Sequence, residues 1–66
     1  MKIDSKKTYR VKRYTSVQMD CDYGNLPGSD VRRILKGCKY EKYDWDTVGL
    51  WYSRSGRFAY DVKEVE

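Results

Sequence analysis

"TVGLWYSRSGRFAYDVKEV", residues 47–65, sets two β-rich runs on either side of Ser55-Gly56. The way its side chains alternate decides which surface of the molecule is core and which is free. A two-residue loop at Ser55-Gly56 suits a primed turn, because glycine accepts positive φ. That register places Arg54 opposite Arg57, Ser53 opposite Phe58, Trp51 opposite Tyr60 and Gly49 opposite Val62. Alternation along a strand then gives one face to Trp51, Phe58, Tyr60 and Val62. The other carries Leu50, Tyr52, Arg54, Arg57, Ala59, Asp61 and Lys63. The first face is apolar enough to meet a helix; the second is mixed and wet.

The helix to meet it lies upstream, in "NLPGSDVRRILKGCKY", residues 25–40. Asn25, Pro27 and Gly28 read as a turn. Ser29 is a suitable N-cap and Asp30 suits the positive end of the helix dipole. Val31, Ile34, Leu35 and Cys38 recur at i, i+3, i+4 and i+7, one face of a short amphipathic helix. Gly37 can end it in a left-handed conformation, leaving Cys38 just past the last turn. Arg32, Arg33 and Lys36 point away from the stripe.

Further upstream, "TYRVKRYTSVQMDC", residues 8–21, alternates with period two and reads as one strand. Its odd positions, Tyr9, Val11, Val17, Met19 and Cys21, form an apolar face. Arg13 and Thr15 interrupt that face, and a bend or bulge is expected there. "CKYEKYDWDT", residues 38–47, reads as an irregular connection or short edge strand whose Tyr40, Tyr43 and Trp45 fold back over the core. The expectation is one α+β domain spanning 1–66: a small three-stranded antiparallel sheet packed on one short helix, in the order β-α-β-β. Residues 1–7 are read as a flexible basic N-terminus.

A chain of 66 residues has little room for a core. Seven tyrosines let a thin core double as a contact surface, since each buries a ring and keeps a polar handle. No apolar run is long enough to cross a membrane, and "MKIDSKKTYR" lacks the apolar region of a secretory signal. The chain is therefore read as soluble and cytoplasmic, with no membrane partner. Cys21 and Cys38 fit reduced, buried apolar residues or one disulfide.

Chemistry is sparse. Histidine, the commonest general acid–base near neutral pH, is absent. Asp20/Asp22, Asp44/Asp46 and Glu64/Glu66 are carboxylate pairs at i, i+2, which a strand would put on one face. No third ligand or glycine pattern supports a metal, so they read as solvated charges. No phosphate loop, dinucleotide fingerprint or activated cysteine motif occurs. No catalytic residue, cofactor or metal is expected, and the chain is read as a non-enzyme.

Binding is the remaining class. The formal net charge is +4, and residues 1–15 hold six basic side chains against Asp4 alone. Arg10, Lys12 and Tyr14 share the even face of the first strand, while Tyr52, Arg54 and Arg57 share the wet face of the hairpin. These six are the expected partner-binding residues. Tyr and Arg often carry interface energy, which favours a larger protein partner. A compact inhibitor or accessory regulator of the sort made by phages and mobile elements fits the size and the lack of chemistry. The alternative is DNA or RNA held by the same basic-aromatic surface, although acidic residues are scattered through it. An exposed strand edge also admits a homodimer.

Overall fold

A computed structural model describes residues 1–42 and 49–65. The sequence expectations for Tyr43, Trp45, Asp44/Asp46 and Glu66 lie outside those residues. The structure corrects the expected three-stranded sheet. Among the described residues, five antiparallel strands form one sheet, and a single short helix packs on it. The strands are β1 (Thr8–Tyr14), β2 (Met19–Pro27), β3 (Lys39–Lys42), β4 (Gly49–Tyr52) and β5 (Ala59–Val65), and the helix is α1 (Gly28–Ile34). The order across the sheet is β2-β1-β5-β4-β3.

β2 was hidden in the sequence, whereas β3 is the short edge strand that the reading of residues 38–47 allowed. Residues 8–21 are not one strand, because the chain reverses at Thr15–Gln18, where the Thr15 N–H donates to the Gln18 carbonyl at 2.9 Å. The interruption at Arg13 and Thr15 marks that reversal. The expected bulge is also there, but the extra residue sits on the partner strand. β1 and β2 lose register between Val11/Lys12 and between Arg13/Tyr14. The turn-like residues 23–27 belong to β2, with Gly24 at φ 73°. Val17 leaves the proposed apolar face altogether and is 87% exposed at the turn.

The β4–β5 register is the expected one: Trp51 pairs with Tyr60 and Tyr52 with Ala59. The loop differs. A type I′ turn needs positive φ at Ser55, and no residue other than glycine has positive φ. Instead the Ser53 carbonyl accepts from the Gly56 N–H at 3.0 Å, and Gly56 takes φ 76°. The Phe58 carbonyl accepts from the Ser53 N–H at 2.9 Å, and Ser53 Oγ accepts from the Phe58 N–H at 3.1 Å. The result is a longer loop, residues 54–57.

The core lies on one side of the sheet. Tyr9, Val11, Tyr60 and Val62 meet Val31 and Leu35 of the helix side, with Ile3 closing the end. Trp51 and Phe58 pack against this cluster, as their hairpin positions predict. Val11 and Val31 are fully buried. The helix ends earlier than expected, with Leu35 as its C-cap, and Gly37 takes the left-handed conformation at φ 81° in the turn that follows. The helix start also differs: Pro27 is the N-cap and no side chain caps it, so Ser29 lies inside the first turn. Gly28 is fixed there by contact. It donates to the Lys7 carbonyl at 2.7 Å, and a Cβ would collide with the Asp4 carbonyl. The Asp4 N–H in turn donates to the buried Tyr9 hydroxyl at 2.8 Å.

Candidate binding face

A seven-residue helix covers one face of the sheet. Among the described residues no helix covers the opposite face, and the strand registers define its rows. Met19, Tyr14, Ala59, Tyr52 and Lys39 pair in succession across all five strands. With strands about 4.8 Å apart, this row runs about 19 Å. A second row is Asp22, Lys12 and Asp61, and a third is Asn25, Arg10 and Lys63.

The first row contains a cleft. Ala59 is the small residue between two tyrosines, so its methyl forms a floor and the Tyr14 and Tyr52 rings form walls. Leu50, Arg57 and Phe58 also line it, and Thr15, Ser16 and Gly56 form its polar rim. Tyr14, Tyr52, Leu50 and Ala59 are each only half-buried, and Met19 is 49% exposed. Beside the cleft, Arg10, Lys12, Asp61 and Lys63 surround a smaller hollow. Asp61 Oδ1 is buried there without a hydrogen-bond partner.

The expected site residues therefore separate. Tyr14, Tyr52 and Arg57 converge on the cleft, and Arg10 and Lys12 flank it on the same face. β1 and β4 are not neighbours, because β5 lies between them; Ala59 and Lys63 are thus part of the surface. Arg54 is exposed in the loop and lines neither hollow. Sequence reasoning put Met19 with the core residues. The turn before it and the β2 bulges shift it into register with Tyr14. The signal that could have found this was the polar stretch Thr15–Gln18, read as a turn rather than as strand.

Electrostatics grade the cations on this face. Arg10 stands directly opposite Lys63, an unfavourable like-charge pairing. Arg10 reaches across to Asp22, with an Nη2–Oδ2 distance of 2.8 Å. The Arg10 hydrogen bond, and next the Gly24 N–H, hold the Asp22 carboxyl below its ordinary range. Arg10 is thus already satisfied. Among the described residues, Lys12, Lys39, Lys63, Arg54 and Arg57 make no ion pair.

Of the carboxylate pairs, Asp20/Asp22 lies wholly within the described residues, and its two members turn to different partners. Asp20 is the extra residue of one β2 bulge and binds Arg13, whereas Asp22 stays in register with Lys12 and binds Arg10. Glu64 lies 3.2 Å from Lys7. Among the described residues no group of three His, Cys, Asp or Glu side chains could hold a metal ion. Cys21 and Cys38 are free thiols, and burial pushes the Cys38 thiol up from its usual value, away from reactivity. No helix among the described residues is long and apolar enough to cross a membrane. Comparison with protein families, curated proteins and solved structures finds no match to this chain.

Proposed function

We propose that this chain is a non-catalytic binding protein that acts by seating a larger protein on its open sheet face. The observation that supports this reading is the row Met19–Tyr14–Ala59–Tyr52, apolar and partly exposed, with cations that make no ion pair among the described residues beside it. An aromatic centre with a charged margin is the composition of a protein interface. Nucleic acid is the less suited occupant. Asp22, Asp61 and Glu41 interleave the cations in the same rows, and Arg10 is neutralised by Asp22. A phosphate backbone needs a track kept clear of such charges. An inhibitor or regulator that works by occupying a surface is the matching mode of action.

The test compares three full-length proteins as bait in a cell lysate: wild type, Lys12→Glu/Arg57→Glu on the open face, and Arg33→Glu on the helix side. One partner should be recovered with wild type and Arg33→Glu and lost with the double variant. Equal recovery by all three would remove the open face from the site. Parallel titrations with generic DNA and RNA should show only weak binding at low salt. Micromolar affinity falling steeply with salt would instead assign the face to nucleic acid.

A further inference from the structure

From the shape and charge of the cleft, we infer that the open face receives an acidic protein segment bearing one large apolar side chain, which seats over Ala59 between Tyr14 and Tyr52. This rests on the protein-binding reading above and specifies the chemistry of the partner. The floor of the cleft is a methyl group, and Leu50 and Phe58 line it together with the two rings. Such a hollow takes an apolar side chain, because burying one removes apolar area from water on both partners. An aromatic guest gains ring contacts as well.

The charge around the cleft fixes the rest of the segment. Arg57 lines the cleft itself, and Arg54 stands in the same loop. Lys39 ends the row beyond Tyr52, and Lys12 sits one row below Tyr14. Among the described residues none of these four has a carboxylate partner, whereas Arg10, Arg13 and Lys7 each do. The cations that border the cleft thus make no ion pair among the described residues; Lys12 stands in register between Asp22 and Asp61, so Arg57, Arg54 and Lys39 are the ones free to meet a guest's charge. Acidic side chains flanking an apolar anchor would meet them, and a basic segment would be repelled.

The experiment uses fluorescein-labelled peptides and the full-length chain in fluorescence anisotropy. The first peptide has a central phenylalanine with three glutamates on each side. The second replaces phenylalanine with serine, and the third replaces the glutamates with lysines. Saturable binding of the first, at least tenfold tighter than of either other, is expected. Ala59→Arg, which fills the floor, and Arg57→Glu should each weaken it at least tenfold. Circular dichroism melting should confirm that both variants stay folded. Equal binding of the first two peptides, binding of the lysine peptide, or no saturable binding up to millimolar concentration would overturn the inference. So would unchanged affinity in folded Ala59→Arg. A lysate partner still lost from Lys12→Glu/Arg57→Glu while the peptides fail would keep the broader protein-binding reading and reject this occupant.

Discussion

Arg13 is the residue at which sequence and structure part most instructively. Its position beside Tyr9 and Val11 put a charge on the apolar face, and the sequence read it as an interruption. The structure keeps it on that face and satisfies it there. Its guanidinium lies 4.5 Å from the Phe58 ring centroid and 5.9 Å from that of Tyr23, while Nε donates to Asp20 at 2.7 Å. Planar stacking plus a carboxylate lets an arginine line the end of a thin core. No local pattern announces this, since the rings come from β2 and from the loop before β5. Asp22 gives the pH test at this scale. Its folded carboxyl lies below the ordinary 3.8 because Arg10 and the Gly24 N–H favour the charged form. A depressed acid stabilises the fold above its unfolded value and loses that contribution as pH falls through the folded value. Melting temperature should thus be flat above about pH 5 and fall more steeply below pH 4 in wild type than in Asp22→Asn. Asparagine can still accept from the Gly24 N–H, so the difference isolates the ion pair. Parallel curves for the two proteins between pH 2 and 5 would deny Asp22 that role.

At the scale of elements, the β4–β5 hairpin and the helix face were legible because each obeys one period over its length. Trp51, Phe58, Tyr60 and Val62 do turn inward, and Val31, Ile34, Leu35 and Cys38 do gather on the core. β2 was not legible. Its two bulges break the alternation, and its last residues, Tyr23 to Pro27, carry turn chemistry because the strand runs directly into α1. Composition there reflects the junction rather than the strand. That junction yields a prediction. Gly28 is the first helical residue and is buried against the Asp4–Ser5 backbone. In Gly28→Ala a methyl must displace main chain, not a flexible side chain, and overpacking of this kind costs about 1–3 kcal/mol. For a domain of this size that lowers the melting temperature by roughly 4–24 °C, at 4–8 °C per kcal/mol. The Tyr9 hydroxyl contact with Asp4 should loosen with it, seen as faster exchange of the Asp4 amide. An unchanged melting temperature would mean the N-terminal arm is not held against the helix start.

The whole molecule is organised by a pairing that no local signal reveals. β1 and β5, from opposite ends of the chain, lie side by side at the centre of the sheet, with Thr8 opposite Val65 and Tyr14 opposite Ala59. The sequence places Arg10, Lys12 and Tyr14 on one strand face and Tyr52, Arg54 and Arg57 on another without fixing what lies between them. It could not place β5 between β1 and β4, and so could not see that Ala59 floors the cleft. A sequence read from one end to the other displays contacts near in the chain, whereas this contact closes nearly all of it. Such closure is slow, because its loop entropy must be met before the contact returns anything. It also makes β5 the element on which the sheet depends. Without it, β1–β2 and β3–β4 are two separate ribbons, each marginal alone, and the core loses Tyr60 and Val62. A chain ending at Phe58 should therefore show no cooperative thermal transition and collapsed amide dispersion in a two-dimensional NMR spectrum. Removing Met1 and Lys2, both exposed, should leave both observables intact. The open face should fail with the truncation, since Ala59, Asp61 and Lys63 leave with β5. A truncated chain that still melted cooperatively would show that the two hairpins hold each other through the helix side alone, and the central pairing would then not be what builds the binding face.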